Sequence, residues 1–293
     1  MIKRTIARTV QKLAPTYYRR RFWRRRLSVM RACYDEQELH IVPSLCDKKK
    51  TSIDIGAAEG IYTIHTIDAS RDCLAFEPRQ PRALELAEMV EYFSLPVRVE
   101  AVALSDVAGE ATLRVLERDE WRSTIERNNL LEDNDGSERY DLIVPTRRLD
   151  DYNLDAVGFV KIDVEGHEIA VIRGGSATIQ RCRPMMLIEI EERHKSNAVH
   201  DVYKFLSNLG YEGYFVLDRS LVSISCFDLA KHQNVEHIGG WKTNWRRSGV
   251  YINNFFFVPE EDRNRLQSAV SSVKSHLPDS FAMKFANVPR AGL

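Results

Sequence analysis

The sequence predicts an α/β protein with a doubly wound, mostly parallel sheet. From Thr51 onward, short apolar runs typical of strands alternate with segments whose apolar residues recur at helical spacing. Such alternation is typical of βαβ units, which build parallel sheets covered by helices on both faces. The length of 293 residues suffices for one large domain of this class.

The first part of the alternation reaches residue 139. Helices are predicted over residues 59–69 and 81–93, where apolar residues recur at helical spacing. The polar run of residues 126–139 is predicted to be a loop. The strands of this part are predicted at 51–56 (TSIDIG), 73–78 (CLAFEP), 97–104 (VRVEAVAL) and, as an added hairpin strand, 109–116 (GEATLRVL).

The second part begins at residue 140. One helix, ended by two glycines, is predicted over 167–175, and another over 197–209, ended by Gly210. The last two strands are expected to pair as an antiparallel edge of the sheet. The strands of this part are predicted at 140–152 (YDLIVPTRRLDDY, ending in a turn), 157–163 (VGFVKID), 184–192 (PMMLIEIEE), 211–217 (YEGYFVL) and 253–259 (NNFFFVP).

A basic arm precedes this alternation. Residues 1–31 carry eleven Lys and Arg and no Asp or Glu. The rest of the chain therefore has 31 basic and 42 acidic side chains and a net charge of −11. We divide the chain into a basic amphipathic arm at 1–34, a main domain at 35–260, and a C-terminal helix and tail at 261–293.

The arm is predicted to contact an anionic membrane surface. Its first segment is amphipathic, and Phe22 and Trp23 stand between arginines, as is typical of membrane interfaces. Two other interpretations stay open, a mitochondrial presequence and a helix packed on the acidic body. Nucleic acid is disfavoured as a partner, because the body is acidic and has no nucleic-acid-binding motif.

The composition indicates a cytoplasmic protein. The chain has no run of 18 apolar residues, and no apolar signal-peptide core follows its basic start. The five cysteines are dispersed and form no CxxC pair, which is typical of reduced thiols in the cytosol. If the arm binds lipid, we expect the protein to be peripheral at the inner face of the membrane.

The stretch DIGAAEG places Asp54, Gly56 and Gly60 where the first strand passes into a helix. Ligands of open parallel sheets bind at such junctions, and glycine lets the backbone approach them. Asp54 stands where a dinucleotide motif has its first glycine, and it would repel a pyrophosphate. It suits S-adenosylmethionine, which carries an ammonium group and no phosphate. Glu77 ends the second strand, where a carboxylate accepts hydrogen bonds from ribose hydroxyls.

Further stretches accompany this motif along the chain, namely SIDIGAAEGIYT, AFEP, VALSD, LDDY, FVKIDVEGHEIAVIRGG, LIEIEERH and NFFFVP. In this order they resemble FkbM-family methyltransferases, class I enzymes that use S-adenosylmethionine and are in many cases O-methyltransferases. The resemblance covers about residues 50–258 and implies a seven-stranded, Rossmann-like methyltransferase sheet with an antiparallel edge strand. The cofactor-binding residues expected are Asp54, Gly56, Ala57, Gly60, Glu77, Ser105, Asp106 and Asp163.

The stretch KIDVEGHE holds the principal catalytic candidates. Asp163, Glu165 and His167 follow the strand expected beside the glycine motif, so they open into the cofactor cleft, where a polar site tolerates their charges. Methyl transfer to oxygen requires the acceptor to lose a proton, which a histidine accepts at neutral pH. His194, just beyond the strand LIEIEE, is the second histidine candidate. His194 and Glu165 rank ahead of His167, and the base is left open among them.

Acceptor contacts are expected from Ser123 and Thr124 in WRSTI and from Glu189 at a strand end. The loop of residues 231–251 is rich in Trp, Gly, Asn, His and Arg, suits a sugar or polyol, and is placed to cap the cleft. The catalytic candidates and Glu189 would also suit a divalent ion. Their spacing does not demand one, so no metal is predicted.

The expected function is transfer of a methyl group from S-adenosylmethionine to a hydroxyl of a glycan, a lipid-linked saccharide or a secondary metabolite. A nicotinamide-dependent oxidoreductase is one alternative, which Asp54 disfavours. A non-catalytic binding protein that keeps the cofactor fold is another, which the acids at strand ends disfavour. The acceptor and the oligomeric state are left open.

Overall fold

The computed structural model describes residues 15–116, 123–126, 129, 131, 138–238 and 248–277. Its strands belong to two sheets. The main sheet contains β1 (Thr51–Ile55), β2 (Asp72–Phe76), β3 (Val97–Glu100), β8 (Val157–Ile162), β9 (Met185–Glu189), β10 (Tyr211–Leu217), β11 (Ser220–Ser223) and β12 (Asn254–Pro259). The second sheet contains β4 (Ala103–Leu104), β5 (Gly109–Leu116), β6 (Ser123–Thr124) and β7 (Arg139–Arg147).

The main sheet has the strand order β11-β10-β12-β9-β8-β1-β2-β3. Neighbours from β9 to β3 are parallel, which confirms the doubly wound, mostly parallel class. The last two predicted strands, β10 and β12, do pair antiparallel, but β12 lies inside the sheet between β9 and β10. All six residues of β12 are buried, as suits an interior strand. β11 is an eighth strand, antiparallel to β10, at the edge.

The prediction of one strand over residues 97–104 is wrong. The chain leaves the main sheet after β3 and enters the second sheet at β4, which pairs with β7. Burial accompanies this passage from one sheet to the other, because β3 is a partly exposed edge strand, whereas Ala103 and Leu104 of β4 are buried. This departure places the second sheet beside the carboxyl ends of the main strands. There the strand predicted over 109–116 is β5, which pairs antiparallel with β6 and with β7.

Helices cover both faces of the main sheet. Those with their bounds are α1 (Pro15–Arg31), α2 (Val42–Leu45), α3 (Ile61–Ile67), α4 (Gln80–Phe93), α5 (Glu168–Gly174), α6 (Ser176–Cys182), α7 (Ala198–Ser207), α8 (Leu229–His232) and α9 (Arg263–Val273). Apolar residues of α5, α6 and α7 pack on one face. Those of α1 to α4 and of α9 pack on the other. The helices predicted over 59–69, 81–93, 167–175 and 197–209 are present within a few residues of those bounds.

The basic arm is anchored to the body through α1. Trp23, Leu27 and Met30 are buried in a cluster with apolar residues of α3 and α4. The expectation that Trp23 anchors a membrane contact is therefore wrong in this structure, because its ring is 3% exposed. The interpretation of a helix packed on the acidic body describes α1, and Arg26 pairs with Glu85 of α4.

Among the described residues, no helix combines the length and apolarity needed to cross a bilayer. Residues 239–247 of the loop expected to cap the cleft lie outside the described part of the chain. Most of the run 126–139 lies outside it as well.

Candidate active site

A cleft lies at the carboxyl ends of β1, β2, β8 and β9, where open parallel sheets bind their ligands. Residues that follow these four strands form one wall, and β4, β5 and β6 of the second sheet form the other. Eight predicted site residues line this cleft: Gly56, Glu77, Ser123, Thr124, Asp163, Glu165, His167 and Glu189.

The turn after β1 brings the backbone close to its neighbours. Gly56 has φ +80°, and a Cβ built there would lie 1.8 Å from the carbonyl oxygen of Asp163. The N–H groups of Gly56 and Ala57 both donate to the carbonyl of Phe76, at 2.9 Å. Because only glycine satisfies both the positive φ and the close contact, the first turn of the motif requires Gly56.

Three of the predicted cofactor residues lie beneath the cleft and do not line it. The Asp54 carboxylate is buried and accepts a hydrogen bond from Thr63 Oγ1 at 2.6 Å. Burial raises the pKa of Asp54 to about 6, although this hydrogen bond opposes the rise. The Ala57 side chain packs in the apolar cluster of α1, α3 and α4. Gly60, with φ +87°, begins α3 against Leu86. These residues shape the turn from below.

Glu77 lines the cleft beside Arg79, a residue that the sequence analysis missed. Glu77 Oε2 accepts from the Ala58 N–H, and Oε1 accepts from both the backbone N–H and the Nε–H of Arg79, each at 2.9 Å. Arg79 is 5% exposed, and its Nη1 has no hydrogen-bond partner among the described residues. A buried donor without a partner, next to a carboxylate on the cleft wall, fits the oxygens of a nucleoside ligand.

A buried lysine explains how the acids of KIDVEGHE are tolerated. Lys161 in β8 is 1% exposed, and its Nζ lies 3.8 Å from Asp163 Oδ2 and 3.7 Å from Glu189 Oε2. It also donates to Asn254 Oδ1 at 3.0 Å and lies over the ring of Tyr62. Burial raises the pKa of Asp163 to about 6, and repulsion from Glu165 adds to that rise. Burial also raises the pKa of Glu189 well above its ordinary value, and repulsion from Asp163 adds to it.

The turn after Asp163 is held by hydrogen bonds from outside β8. Glu165 has φ +52° and Gly166 has φ +101°. The Glu165 carbonyl accepts from Thr124 Oγ1 at 2.7 Å and from Asn129 Nδ2 at 2.8 Å. The Gly166 N–H donates to Glu168 Oε1 at 2.7 Å. Thr124, predicted to contact the substrate, thus has its hydroxyl proton committed to the turn that presents Glu165.

His194 lies behind Glu165 in a network of charges and does not line the cleft. Its Nε2 lies 2.9 Å from Glu165 Oε2 and 4.0 Å from Glu191 Oε1. Arg193 donates to both oxygens of Glu191, at 2.6 and 2.9 Å, and the Tyr251 hydroxyl donates to the same carboxylate. Although burial opposes it, the two glutamates raise the pKa of His194.

His167 lies at the cleft itself, beside Ser105. Its Nε2 is 2.9 Å from Ser105 Oγ, and its Nδ1 is 3.6 Å from Glu126 Oε2. Ser105 and Asp106, predicted to bind the cofactor, do not line the main cleft. Ser105 lies beside His167, and its hydroxyl donates to Asp106 Oδ1 at 3.2 Å. Burial lowers the pKa of His167, and the acids nearby offset only part of that effect.

Glu165, Glu191 and His194 also form the arrangement closest to a metal site among the described residues. One ligand atom from each lies within 4.8 Å of the other two. Both Glu191 oxygens already accept from Arg193, so a cation bound there would face a guanidinium group. When His194 is protonated, its charge and that of Arg193 compensate the two glutamate charges, so the cluster is electrically neutral without a metal ion.

The strand order, the glycine turn and the acid that ends β2 define a Rossmann-like, nucleoside-binding enzyme of the methyltransferase class. A sequence profile of the FkbM methyltransferase domain matches residues 54–212. The chain belongs to this family. The family assignment confirms the predicted methyltransferase class and its cofactor, S-adenosylmethionine. No curated protein matches the chain.

Several solved structures are distant likenesses of the chain. An FkbM methyltransferase from Methylobacillus flagellatus KT is 14% identical, with a TM-score of 0.45 over 72% of this chain and 44% of that one. SMU.1697c from Streptococcus mutans, solved with S-adenosylhomocysteine, is 10% identical, with a TM-score of 0.41 over 76% and 95%. An rRNA methylase from Streptococcus thermophilus is 9% identical, with a TM-score of 0.37 over 75% and 92%. This chain spans less than half of the M. flagellatus protein, and the family assignment rests on the sequence match.

Proposed function

We propose that the protein methylates a hydroxyl group of a glycan, a lipid-linked saccharide or a secondary metabolite. The observation that carries this proposal is the composition of the cleft wall. Asp163, Glu165, Glu189 and His167 all line it, and each of these side chains accepts hydrogen bonds from hydroxyl groups. The ammonium group of Lys161 lies directly behind Asp163 and Glu189, so it compensates charge on the wall without itself lining the cleft.

The residues of the glycine turn, Glu77 and Arg79 would hold the cofactor, since they line the cleft beside β1 and β2. When bound, S-adenosylmethionine supplies a methyl group on a sulfonium, so that a carbon–oxygen bond forms while the carbon–sulfur electron pair stays with sulfur. The protein must align the acceptor oxygen and accept its proton. Glu165, held in its turn by Thr124 and Asn129, is placed to orient an acceptor hydroxyl.

Calorimetry with S-adenosylmethionine, S-adenosylhomocysteine and NADH tests the cofactor half of the proposal. Glu77→Gln should weaken binding of the first two at least tenfold, which is about 1.4 kcal/mol, because it disturbs the carboxylate that holds Arg79. Glu85→Gln, a surface glutamate of α4, is the matched control and should bind normally. Preferential binding of NADH would contradict the proposal.

Transfer of a radioactive methyl group to a panel of acceptors tests the chemical half. The panel contains neutral and anionic saccharides, polyols, phenols and amines. We expect the radioactive methyl group in a methyl ether, a product that is stable to base. Transfer to amines alone would contradict O-methylation. Cofactor binding without any labelled product would favour a non-catalytic binding protein.

We further propose that the outer face of α1 attaches the protein to anionic lipid at the inner face of the membrane. Arg20, Arg21, Arg24 and Arg25 are exposed on α1, outside the stripe of its buried apolar residues. Four such charges give reversible binding at about 1 kcal/mol each near an anionic surface. Since Trp23 is buried, the attachment would be electrostatic and sensitive to salt.

Sedimentation with vesicles tests this attachment. The protein should sediment with vesicles that contain phosphatidylglycerol and not with pure phosphatidylcholine. The double variant Arg20→Gln/Arg24→Gln should lose most of this binding. Arg31→Gln, which removes an arginine paired with Asp68, should keep it. Equal sedimentation with both vesicle types would contradict the proposal.

A further inference from the structure

A groove on the second sheet joins the cofactor cleft at His167 and Ile125, residues that line both. Its other walls come from Ser105, the chain from Val107 to Ala111, and Glu126. The main cleft is bounded by the glycine turn and β2 on the cofactor side. The groove therefore offers an approach to the cleft that does not cross the glycine turn, Glu77 or Arg79.

The charge beside His167 favours one position for the proton of the neutral ring. Glu126 faces Nδ1, and an ionised carboxylate only accepts hydrogen bonds, so the proton of the neutral ring belongs on Nδ1. Nε2 is then an acceptor 2.9 Å from Ser105 Oγ, and rotation of the Ser105 hydroxyl moves its proton from Asp106 Oδ1, which accepts it at 3.2 Å, to Nε2. A hydroxyl group thus already occupies the position from which Nε2 would accept a proton.

The surroundings of Glu126 keep it in place. Lys195 Nζ lies 3.1 Å from Glu126 Oε2, and the Glu126 N–H donates to Thr124 Oγ1 at 3.0 Å. The charged groups that face His167 are Glu126 and Asp106, which favour its protonation, and Lys195, which opposes it. Burial outweighs the two acids, so the imidazole is kept neutral and able to accept a proton.

We propose that His167 is the general base of the reaction, that Glu126 positions it, and that the acceptor hydroxyl reaches Nε2 from the groove in place of Ser105. This inference rests on the proposed O-methyltransferase function. The acceptor O–H bond breaks, its proton goes to Nε2, and the oxygen electron pair becomes the new carbon–oxygen bond. Loss of the proton from Nε2 to solvent restores the neutral ring.

The groove also indicates the class of acceptor. Glu110 and Glu126 line it, and a negatively charged acceptor would have to approach both. Serine and threonine hydroxyls at Ser105 and Thr146 supply neutral hydrogen-bonding groups. We therefore expect neutral hydroxyl compounds, such as uncharged saccharides or polyols, to be methylated in preference to their carboxylated or phosphorylated counterparts.

Nitrogen-15 NMR of histidine-labelled protein saturated with S-adenosylhomocysteine tests which nitrogen of His167 carries the proton, and it needs no acceptor substrate. The resonances of His167 are identified by their loss in His167→Gln. At neutral pH the ring should be neutral with its proton on Nδ1, and Glu126→Gln should lower its pKa further while Glu126→Asp restores it. A proton on Nε2, or an imidazolium at neutral pH, would overturn the assignment.

Steady-state kinetics test the role of His167 in catalysis, with an acceptor from the panel that becomes methylated. His167→Ala should reduce kcat about 10²- to 10⁴-fold, the usual contribution of a general base, while keeping its affinity for S-adenosylhomocysteine. Wild-type kcat should fall as the pH drops through the pKa of His167, and Glu126→Gln should move that fall to lower pH. His200→Gln, on the exposed face of α7, is the matched control.

The outcomes separate this inference from the proposed function. If His167→Ala methylates hydroxyl groups with the kcat of the wild-type protein, His167 is not the general base, and the proposed O-methyltransferase function is unaffected. Absence of O-methylated product from every acceptor would overturn the function and the base together, whatever the NMR result. Anionic acceptors methylated faster than neutral ones would overturn the acceptor class.

Discussion

Two histidines of this protein, the partly buried His167 and the buried His194, each lie beside a glutamate and a basic side chain, yet their pKa values move in opposite directions. His194 faces two carboxylates, from Glu165 and Glu191, and they outweigh the cost of burying its charge. His167 faces Glu126 at 3.6 Å and Asp106, Lys195 opposes these two acids, and burial prevails.

The comparison teaches that a neighbouring acid does not by itself identify a catalytic histidine. The balance of all surrounding charges sets the protonation state, and the position relative to the cleft sets the access to substrate. His194 is protonated readily and lies behind Glu165, so it stabilises that carboxylate. His167 stays neutral and lines the cleft, so it is the histidine suited to accept a proton.

The largest difference between the two clusters should appear in stability. Glu191→Ala should lower the free energy of unfolding by about 3 kcal/mol, because it removes the acceptor of the Arg193 guanidinium and the Tyr251 hydroxyl and one of the two carboxylates that face His194. This is the low end for a broken buried pair, since the Arg193 side chain is 27% exposed. Glu126→Ala should cost about 1 kcal/mol or less, because its partner Lys195 is also partly exposed. Urea denaturation measures both, and equal losses would contradict the distinction.

The pH dependence of stability should separate the histidines by sign. The raised pKa of His194 stabilises the fold below the unfolded value of about 6.5 and is lost as pH rises through the folded pKa. The lowered pKa of His167 has the reverse effect, so its contribution is present above about 6.5 and is lost as pH falls toward the folded pKa.

Urea denaturation across this pH range, with His194→Gln and His167→Gln, measures these slopes. Each histidine changes the free energy of unfolding by at most about 1.4 kcal/mol per pH unit. Replacing His194 should flatten a decline of stability above neutrality, and replacing His167 should flatten a rise below it. Changes of the same sign in both variants would show that the two environments do not differ as described.

The smallest effect should be that of His194 on cofactor binding. His194→Gln should change the affinity for S-adenosylhomocysteine by roughly twofold or less, because His194 does not line the cleft and its partner there is Glu165, outside the glycine turn, Glu77 and Arg79. Calorimetry measures it. A loss of tenfold or more would mean that the turn of Glu165 depends on His194 for its position at the cofactor.

Much of the fold was predictable because its signals are local. The periodicity of apolar residues predicted β1, β2, β8 and β9 close to their observed bounds. The split between β3 and β4 was not, since Ala101 and Val102 carry no turn signal and only pairing with β7 divides the run. The interior place of β12 depended likewise on the sheet that receives it.

The site divides in the same way. The sequence by itself determined the glycine turn, the acids that end β1, β2, β8 and β9, and the family, because each depends on residues close together in the chain. The three-dimensional fold was needed to show that Glu126 faces His167, that Lys161 lies between Asp163 and Glu189, and that Trp23 is buried. Those pairings join segments far apart in sequence, and their energies depend on burial, which no local pattern encodes.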